Sequence, residues 1–307
     1  LKIITSIETF NDKNPVVTVG TFDGVHKGHK KILNTLVSEA EQLNGTPVVF
    51  TFKPHPRKVL FPNQTDLAML NTDREKIQKL KEAGVAVLIE YPFSIEFANY
   101  TSCEFIENIL YKKLKIKTLI MGYDHRFGKD RQGDYDMLKA CALSYGFKLI
   151  KVDAYKENGR EISSTKIRKA LEAGDIQAAG QCLGYDYSIQ GKVIAGNKIG
   201  RTIGFPTANI EIDNQEKLIP RTGVYAVDVL LKKHIYKGML NIGKRPTFSN
   251  QNQISLEVNL FDFNENIYKQ SLTLFFKHFI REEQKFASVQ ALQNQLKKDK
   301  DFIISLK

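Results

Sequence analysis

Val16-Val17-Thr18-Val19-Gly20-Thr21-Phe22-Asp23-Gly24-Val25-His26-Lys27-Gly28-His29 passes from a β-branched run, through a glycine-flanked turn, into a helical pattern over 30–44. A strand that ends in such a turn and leads straight into a helix is the opening unit of a parallel α/β sheet. A helix N-terminus offers unpaired amides and a positive dipole. Glycines at 24 and 28 let the backbone approach phosphate oxygens with no Cβ in the way. His26 and His29 at that turn can donate hydrogen bonds to an α-phosphoryl group as charge builds in the transition state, with no covalent intermediate. Either histidine alone reads as a helix cap; the H-x-G-H spacing after a strand favours the phosphoryl role.

Working outward, β-rich runs alternate with helical stretches: 48–52, then a helix over 73–83, 85–90, a helix over 102–113, 118–121, a helix over 135–145, and 147–150. This rhythm predicts a doubly wound parallel α/β domain, in which ligands bind beyond the carboxyl ends of the strands. From Ile189 the pattern changes to short strands punctuated by Gly, Pro and Asn: 189–194, 224–231, 237–240, 254–260 and 271–276. That predicts a small antiparallel β-barrel or sandwich. Val289, Leu292 and Leu296 then mark one face of a helix over 288–298. Two domains are expected, 1–183 and 187–307, with the boundary near Gly184 to Asp186, where the α/β rhythm stops.

Composition narrows the class. At 307 residues, with 42% hydrophobic and 26% charged residues, the chain has the make-up of a globular protein, and it exceeds the usual size of one domain. No apolar run approaches a membrane span, and Leu1-Lys2-Ile3-Ile4-Thr5 lacks the long apolar stretch of a signal peptide, so a cytoplasmic protein with no membrane partner is expected. Cys103, Cys141 and Cys182 form no C-x-x-C pair, which suggests neither a disulfide framework nor a zinc site. The net charge of +11 suits polyanionic ligands, nucleotide or nucleic acid. The excess is spread along the chain, and no aromatic stripe like that of a single-strand binder is visible, so the nucleic-acid reading is the weaker one. Neither a G-x-x-x-x-G-K-[ST] loop nor G-x-G-x-x-G occurs, so any ATP site is built another way.

Four further segments carry chemistry. Thr51-Phe52-Lys53-Pro54-His55-Pro56 and Gly122-Tyr123-Asp124-His125-Arg126-Phe127-Gly128 each follow a strand, and Phe52 and Phe127 could pack on an aromatic ring system. Ile162-Ser163-Ser164-Thr165-Lys166-Ile167-Arg168 opens a helix; capping explains Ser164 or Thr165, but a cation in a first helical turn calls for an anion. Gly200-Arg201-Thr202-Ile203-Gly204-Phe205-Pro206-Thr207-Ala208-Asn209 is more than a Gly-Pro turn. Thr207 and Asn209 put a hydroxyl and a carboxamide oxygen on one side of an extended segment, the kind of oxygen donor that Mg²⁺ takes beside phosphates.

H-x-G-H at the first strand–helix junction is the signature of the nucleotidylyltransferase superfamily. The run Gly20 to His29 resembles the version found in bacterial bifunctional riboflavin kinase/FMN adenylyltransferases, or FAD synthetases. The segment Gly200 to Asn209 resembles the riboflavin-kinase signature, and 220–225 and 241–247 look like that family's next two segments. The resemblance implies an N-terminal nucleotidylyltransferase domain that adenylylates FMN and a C-terminal β-barrel that phosphorylates riboflavin, with ATP and Mg²⁺ at both. It implies His26, His29 and Arg168 as catalytic groups of the first site, and Gly20, Phe22, Asp23, Gly24, Gly28, Ser164 and Thr165 around its phosphates. Phe52, Pro54, His55, Asp124, Arg126 and Phe127 fall on the flavin side. In the barrel it implies Glu257 as the catalytic carboxylate, Thr207 and Asn209 at the metal, and Gly200 and Arg201 at ATP. This chain departs from the family pattern with Asn259 in place of histidine and Lys269 in place of glycine. An adenylyltransferase for another phosphorylated acceptor, with an inert barrel, is the alternative enzyme; the intact set Thr207, Asn209 and Glu257 argues against it.

Overall fold

The structure, a computed structural model, describes residues 1–63, 67–123, 135–157, 159–196, 199–245 and 253–306. It divides into two compact units, Leu1–Ser164 and Thr165–Lys307.

The first unit is built on six strands, β1 (Lys2–Ile4), β2 (Pro15–Val19), β3 (Thr46–Lys53), β4 (Val87–Pro92), β5 (Thr118–Gly122) and β6 (Lys148–Val152). They are hydrogen-bonded in the order β1-β4-β3-β2-β5-β6, every pair parallel. β2 and β5 are buried along their whole length, as central strands covered on both faces must be. Alternation along the strands sorts side chains into two cores. Val17, Val48, Phe50 and Ile89 join Phe105, Ile106 and Leu138 on one face, whereas Val16, Val49 and Leu88 join Leu33, Leu36 and Leu80 on the other. The helices that supply those partners are α1 (Lys27–Gln42), α3 (Asp73–Glu82), α5 (Ser102–Phe105) with the π-helical turn that follows it and holds Ile106, and α6 (Tyr135–Tyr145); short α2 (Pro56–Leu60) and α4 (Ile95–Ala98) lie between. The expected helix over 102–113 is helical from Ser102 to Tyr111, its α5 turn passing directly into a π-helical stretch, Ile106–Tyr111. A two-stranded ribbon, β7 (Lys156–Glu157) with β8 (Arg160–Glu161), completes the unit.

In the sheet order, β3 lies on one side of β2 and β5 on the other. The carboxyl end of β2 is therefore the topological switch point, the place where open α/β sheets bind ligands. The Gly20 to His29 turn starts there.

The second unit opens with α7 (Ser164–Ala173, of which Ser164 closes the first unit) and α8 (Ile176–Leu183). It continues as β9 (Ser188–Ile194), α9 (Ile199–Thr202), β10 (Ala208–Ile212), β11 (Gly223–Leu231), β12 (His234–Arg245), β13 (Gln253–Leu260), β14 (Ser271–Arg281) and α10 (Val289–Ser305). The strands close into an antiparallel barrel in the order β10-β13-β12-β11-β14-β9, with β9 pairing back to β10. Of the two β architectures open at the sequence level, the barrel is the one formed. α10 runs seven residues past the expected end at Lys298. Its buried anchors are Ile303, packed with Val224, Ala226, Met239 and Phe261, and Asp299, which holds Arg281 of β14 at 2.9 Å. Val289, expected on the packed face, is exposed.

Candidate active sites

The turn after β2 departs from ordinary backbone at three positions within four residues: Phe22 has φ 49°, Gly24 φ 85° and Val25 φ 32°. Glycine adopts such a conformation freely, but a β-branched valine there costs on the order of 1–3 kcal/mol, a strain that surrounding structure must hold. Phe22 and Val25 are both buried in the core under α1, and the Gly20 amide donates to the Phe50 carbonyl at 2.9 Å, continuing the ladder from β2. A Cβ on Gly20 would stand 3.0 Å from the Phe22 ring, so glycine is what lets that ring fold beneath the turn. Asp23, also buried, accepts hydrogen bonds from the Leu70 and Asn71 amides at 3.0 and 3.1 Å. Its carboxylate thus ties the turn to the chain ahead of α3. The Ser164 hydroxyl, at the end of the first unit, donates to the Asp23 carbonyl at 2.9 Å.

His26 is the N-cap of α1, and its Nδ1 accepts from the His29 amide at 3.2 Å. With Nδ1 an acceptor, the proton of the neutral ring sits on Nε2 and is free to be donated. The His26 and His29 rings stack with centroids 3.6 Å apart, and Phe22 lies against His29 at 5.0 Å. A Cβ on Gly28 would come within 3.1 Å of the His26 ring, so any side chain at 28 would displace that imidazole. Burial draws the His26 pKa down to about 4, partly offset by its backbone hydrogen bond. His29 is pushed well below the ordinary histidine value, by burial first and then by His26. At neutral pH the pair is uncharged, so any hydrogen bond its rings donate comes from a neutral N–H rather than from a cation.

Thr165 and Arg168 follow Ser164 along α7, within the second unit. Arg168 is the fifth residue of that helix, past the first turn where the sequence reading put it, so the dipole argument for an anion beside it weakens. His55 caps α2, its Nδ1 accepting from the Arg57 amide at 3.2 Å, and Pro54 precedes it at the end of β3. Phe52 belongs to an aromatic cluster, with Phe93 at 5.4 Å and Phe97 at 5.5 Å. Asp124, Arg126 and Phe127 lie outside the described residues, as does the side chain of Arg201. A feature the sequence did not signal sits at the ends of β3 and β4, where Thr51 and Glu90 are register partners and both buried. Thr51 Oγ1 and Glu90 Oε1 find no partner among the described residues. Buried polar atoms of that kind are what a ligand or an ordered water satisfies.

The barrel site is assembled by register. Asn209 of β10 stands directly across from Glu257 of β13, and Glu257 directly across from Asn241 of β12, so three polar side chains form one row over three strands. Thr207, two residues before Asn209, places its Oγ1 3.5 Å from Glu257 Oε2. Asn209 is buried, and a Cβ on Gly196 would fall 1.9 Å from its Nδ2, so residue 196 must be glycine for that carboxamide to fit. Gly200 is equally constrained: its Cβ would meet the Phe205 carbonyl at 2.2 Å. Asn241, to which the sequence reading gave no role, donates to Glu283 at 3.3 Å. Both departures from the family pattern have structural consequences. Asn259 is buried and donates to the Pro206 carbonyl at 2.6 Å, holding the segment that leads into Thr207. Lys269 sits at φ 65°, the left-handed region that favours glycine.

Two family models match the chain, FAD synthetase over residues 8–166 and riboflavin kinase over 183–306. A bifunctional riboflavin kinase/FMN adenylyltransferase from Haemophilus influenzae is 44% identical over 284 residues, 92% of this chain and 91% of the relative. The chain belongs to the bifunctional riboflavin kinase/FMN adenylyltransferase family. The Escherichia coli K12 member of this family is 38% identical over 97% of this chain and 96% of its own. A solved structure described as a macrolide-efflux protein from Streptococcus pneumoniae superposes with a TM-score of 0.91 at 34% identity, over 99% of both chains. Among the described residues no helix is long and apolar enough to cross a membrane.

Proposed function

We propose that this bifunctional transferase phosphorylates riboflavin to FMN at the row Asn209, Glu257 and Thr207 of the barrel, and adenylylates FMN to FAD at the turn Gly20 to His29. The observation that carries the reading is the register that puts Asn209 opposite Glu257, with the Thr207 hydroxyl beside the same carboxylate. Glu257 takes the proton of the riboflavin 5′-hydroxyl as that oxygen attacks the γ-phosphorus of ATP, and ADP leaves. Asn209, whose carboxamide occupies the space that a side chain at Gly196 would take, and Thr207 supply the hard oxygens suited to Mg²⁺, which prefers one or two protein ligands and completes its shell with water and phosphate. Among the described residues no cluster of three His, Cys, Asp or Glu side chains forms a ready-made cage, which fits an ion that arrives with the nucleotide. Bound there, Mg²⁺ would neutralise charge on the β- and γ-phosphates.

At the first site an FMN phosphate oxygen attacks the α-phosphorus of a second ATP, and pyrophosphate leaves. His26, from Nε2, and His29, from its own ring N–H, donate to the phosphoryl oxygens, and Gly24 and Gly28 keep side chains out of the way. The flavin side is made by Phe52, Pro54 and His55 with Asp124, Arg126 and Phe127, and the enzyme works in the cytoplasm. The test is incubation with ATP, Mg²⁺ and riboflavin, followed by chromatography of the fluorescent products. FMN and then FAD are expected; absence of FAD when FMN is supplied directly would overturn the first-site assignment, and absence of FMN from riboflavin the second.

A further inference from the structure

Three sulfur atoms meet on the face of the first unit away from the H-x-G-H turn's core. Cys103 is the second residue of α5; Met137 and Cys141 stand four residues apart, one turn along α6. Cys103 Sγ lies 3.6 Å from Met137 Sδ and 3.8 Å from Cys141 Sγ, and Cys141 Sγ lies 3.7 Å from Met137 Sδ. The triangle is nearly equilateral. The point equidistant from its corners is about 2.1 Å from each sulfur, close to a metal–thiolate bond of about 2.3 Å.

We propose that Cys103, Cys141 and Met137 form a three-coordinate site for a soft monovalent cation, Cu(I) or Ag(I). Two thiolates and a thioether are the donors that select Cu(I). Structural zinc needs four ligands in a tetrahedron, and no third His, Cys, Asp or Glu among the described residues joins the two cysteines. Cys141 is buried and Cys103 exposed, so the site has an apolar floor and an entry path. Uptake proceeds by displacement: the cation forms two metal–thiolate bonds and one thioether bond, and both thiol protons pass to the buffer. No change of oxidation state is involved. Neither the kinase nor the adenylyl-transfer reading uses these three residues.

The test uses the full chain in a Cys182→Ser background, anaerobically, with Cu(I) supplied as its bicinchoninate complex. The protein is expected to withdraw one equivalent of copper from the chelator, and X-ray absorption is expected to show three sulfur neighbours at about 2.3 Å. Met137→Leu conserves volume, so folding is not at stake, and it is expected to weaken binding at least ~10-fold; Cys103→Ser is expected to weaken it further. Copper held as tightly by Met137→Leu as by the parent, a two-sulfur absorption spectrum, or no withdrawal from the chelator would each show that the sulfurs are merely packed together and overturn the site.

Discussion

The first site hangs on one continuous turn, whereas the barrel site draws Asn209, Asn241 and Glu257 from three strands. In the turn, position comes from local devices: three residues at positive φ, a histidine cap, and a buried aspartate gripping two distant amides. In the barrel it comes from pairing, and a slip of one residue in β13 would carry Glu257 to the opposite face. A site of the first kind is damaged by changing one residue's conformation, while one of the second kind survives until the ladder fails. The turn lies in the first compact unit and the row in the second, so the two geometries should break separately.

The sharpest way to break that comparison is a double dissociation. Glu257→Gln is expected to lower FMN formation by ~10²–10⁴-fold while FAD formation from supplied FMN persists. His29→Ala, and less severely His26→Ala, is expected to lower FAD formation by ~10²–10³-fold with riboflavin phosphorylation unchanged. Chromatography of both products from each variant decides it; parallel loss of both activities in a folded variant would make the sites one system.

Fragments sharpen it next. We propose that residues 187–307 carry the whole kinase site and convert riboflavin to FMN. A fragment from Thr165 is expected to be the more stable by at least about 3 kcal/mol, because Ile167, Leu171, Ile176 and Leu183 are fully buried and each contributes roughly 1.5–3 kcal/mol. The Arg221 amide donates to the Leu171 carbonyl, and Gly174 packs against Phe279, so α7 is tied to the barrel. Urea titrations of the two fragments compare them, and kinase activity in neither would show that the barrel depends on the first unit.

A smaller effect separates the sites by pH. The His26 pKa of about 4 in the folded protein lies below the ~6.5 of an unfolded histidine, so the unfolded chain takes the proton first as pH falls. The contribution is complete above about pH 6.5 and is lost between there and about pH 4, amounting to about 2 kcal/mol between pH 7 and pH 5. His26→Asn keeps a cap acceptor without a titrating ring and should lose that much less over the same interval. Equal pH slopes in the urea transition of the first unit would refute it. Smallest of all, Lys269→Gly relieves a left-handed lysine and is expected to stabilise the barrel by about 0.5–1 kcal/mol; thermal melting would detect a shift of the opposite sign.

These contrasts also explain what could be read from the amino acids alone. The parallel sheet was legible because its strands are short apolar runs separated by periodic helices, and α6 was placed at Tyr135–Tyr145 by that periodicity. The end of α10 was not, because the charged stretch Lys297 to Asp301 interrupts the apolar period just before Ile303 resumes it. The H-x-G-H turn was visible as a motif since its parts are neighbours in sequence. What Asp23 does was not, because its partners Leu70 and Asn71 are 47 and 48 residues away. Asn241 stayed unassigned for the same reason: only the pairing of β12 with β13 sets it opposite Glu257.

Closure of the barrel has a further consequence, for what happens when the protein is stressed. A closed ring of six strands has no edge at which another chain can add, while the parallel sheet has two. One edge is β1, only three residues long, and the other is β6, which carries Lys148 and Lys151 along a five-residue strand. Brevity and lysine are the two commonest ways of blunting an edge. Losing β1 would bare β4, an apolar strand whose Val87, Leu88 and Ile89 are buried, and turn a guarded margin into a template for pairing. Misassembly on heating should therefore start from the nucleotidyl-transfer half of the molecule, at its first three-residue strand.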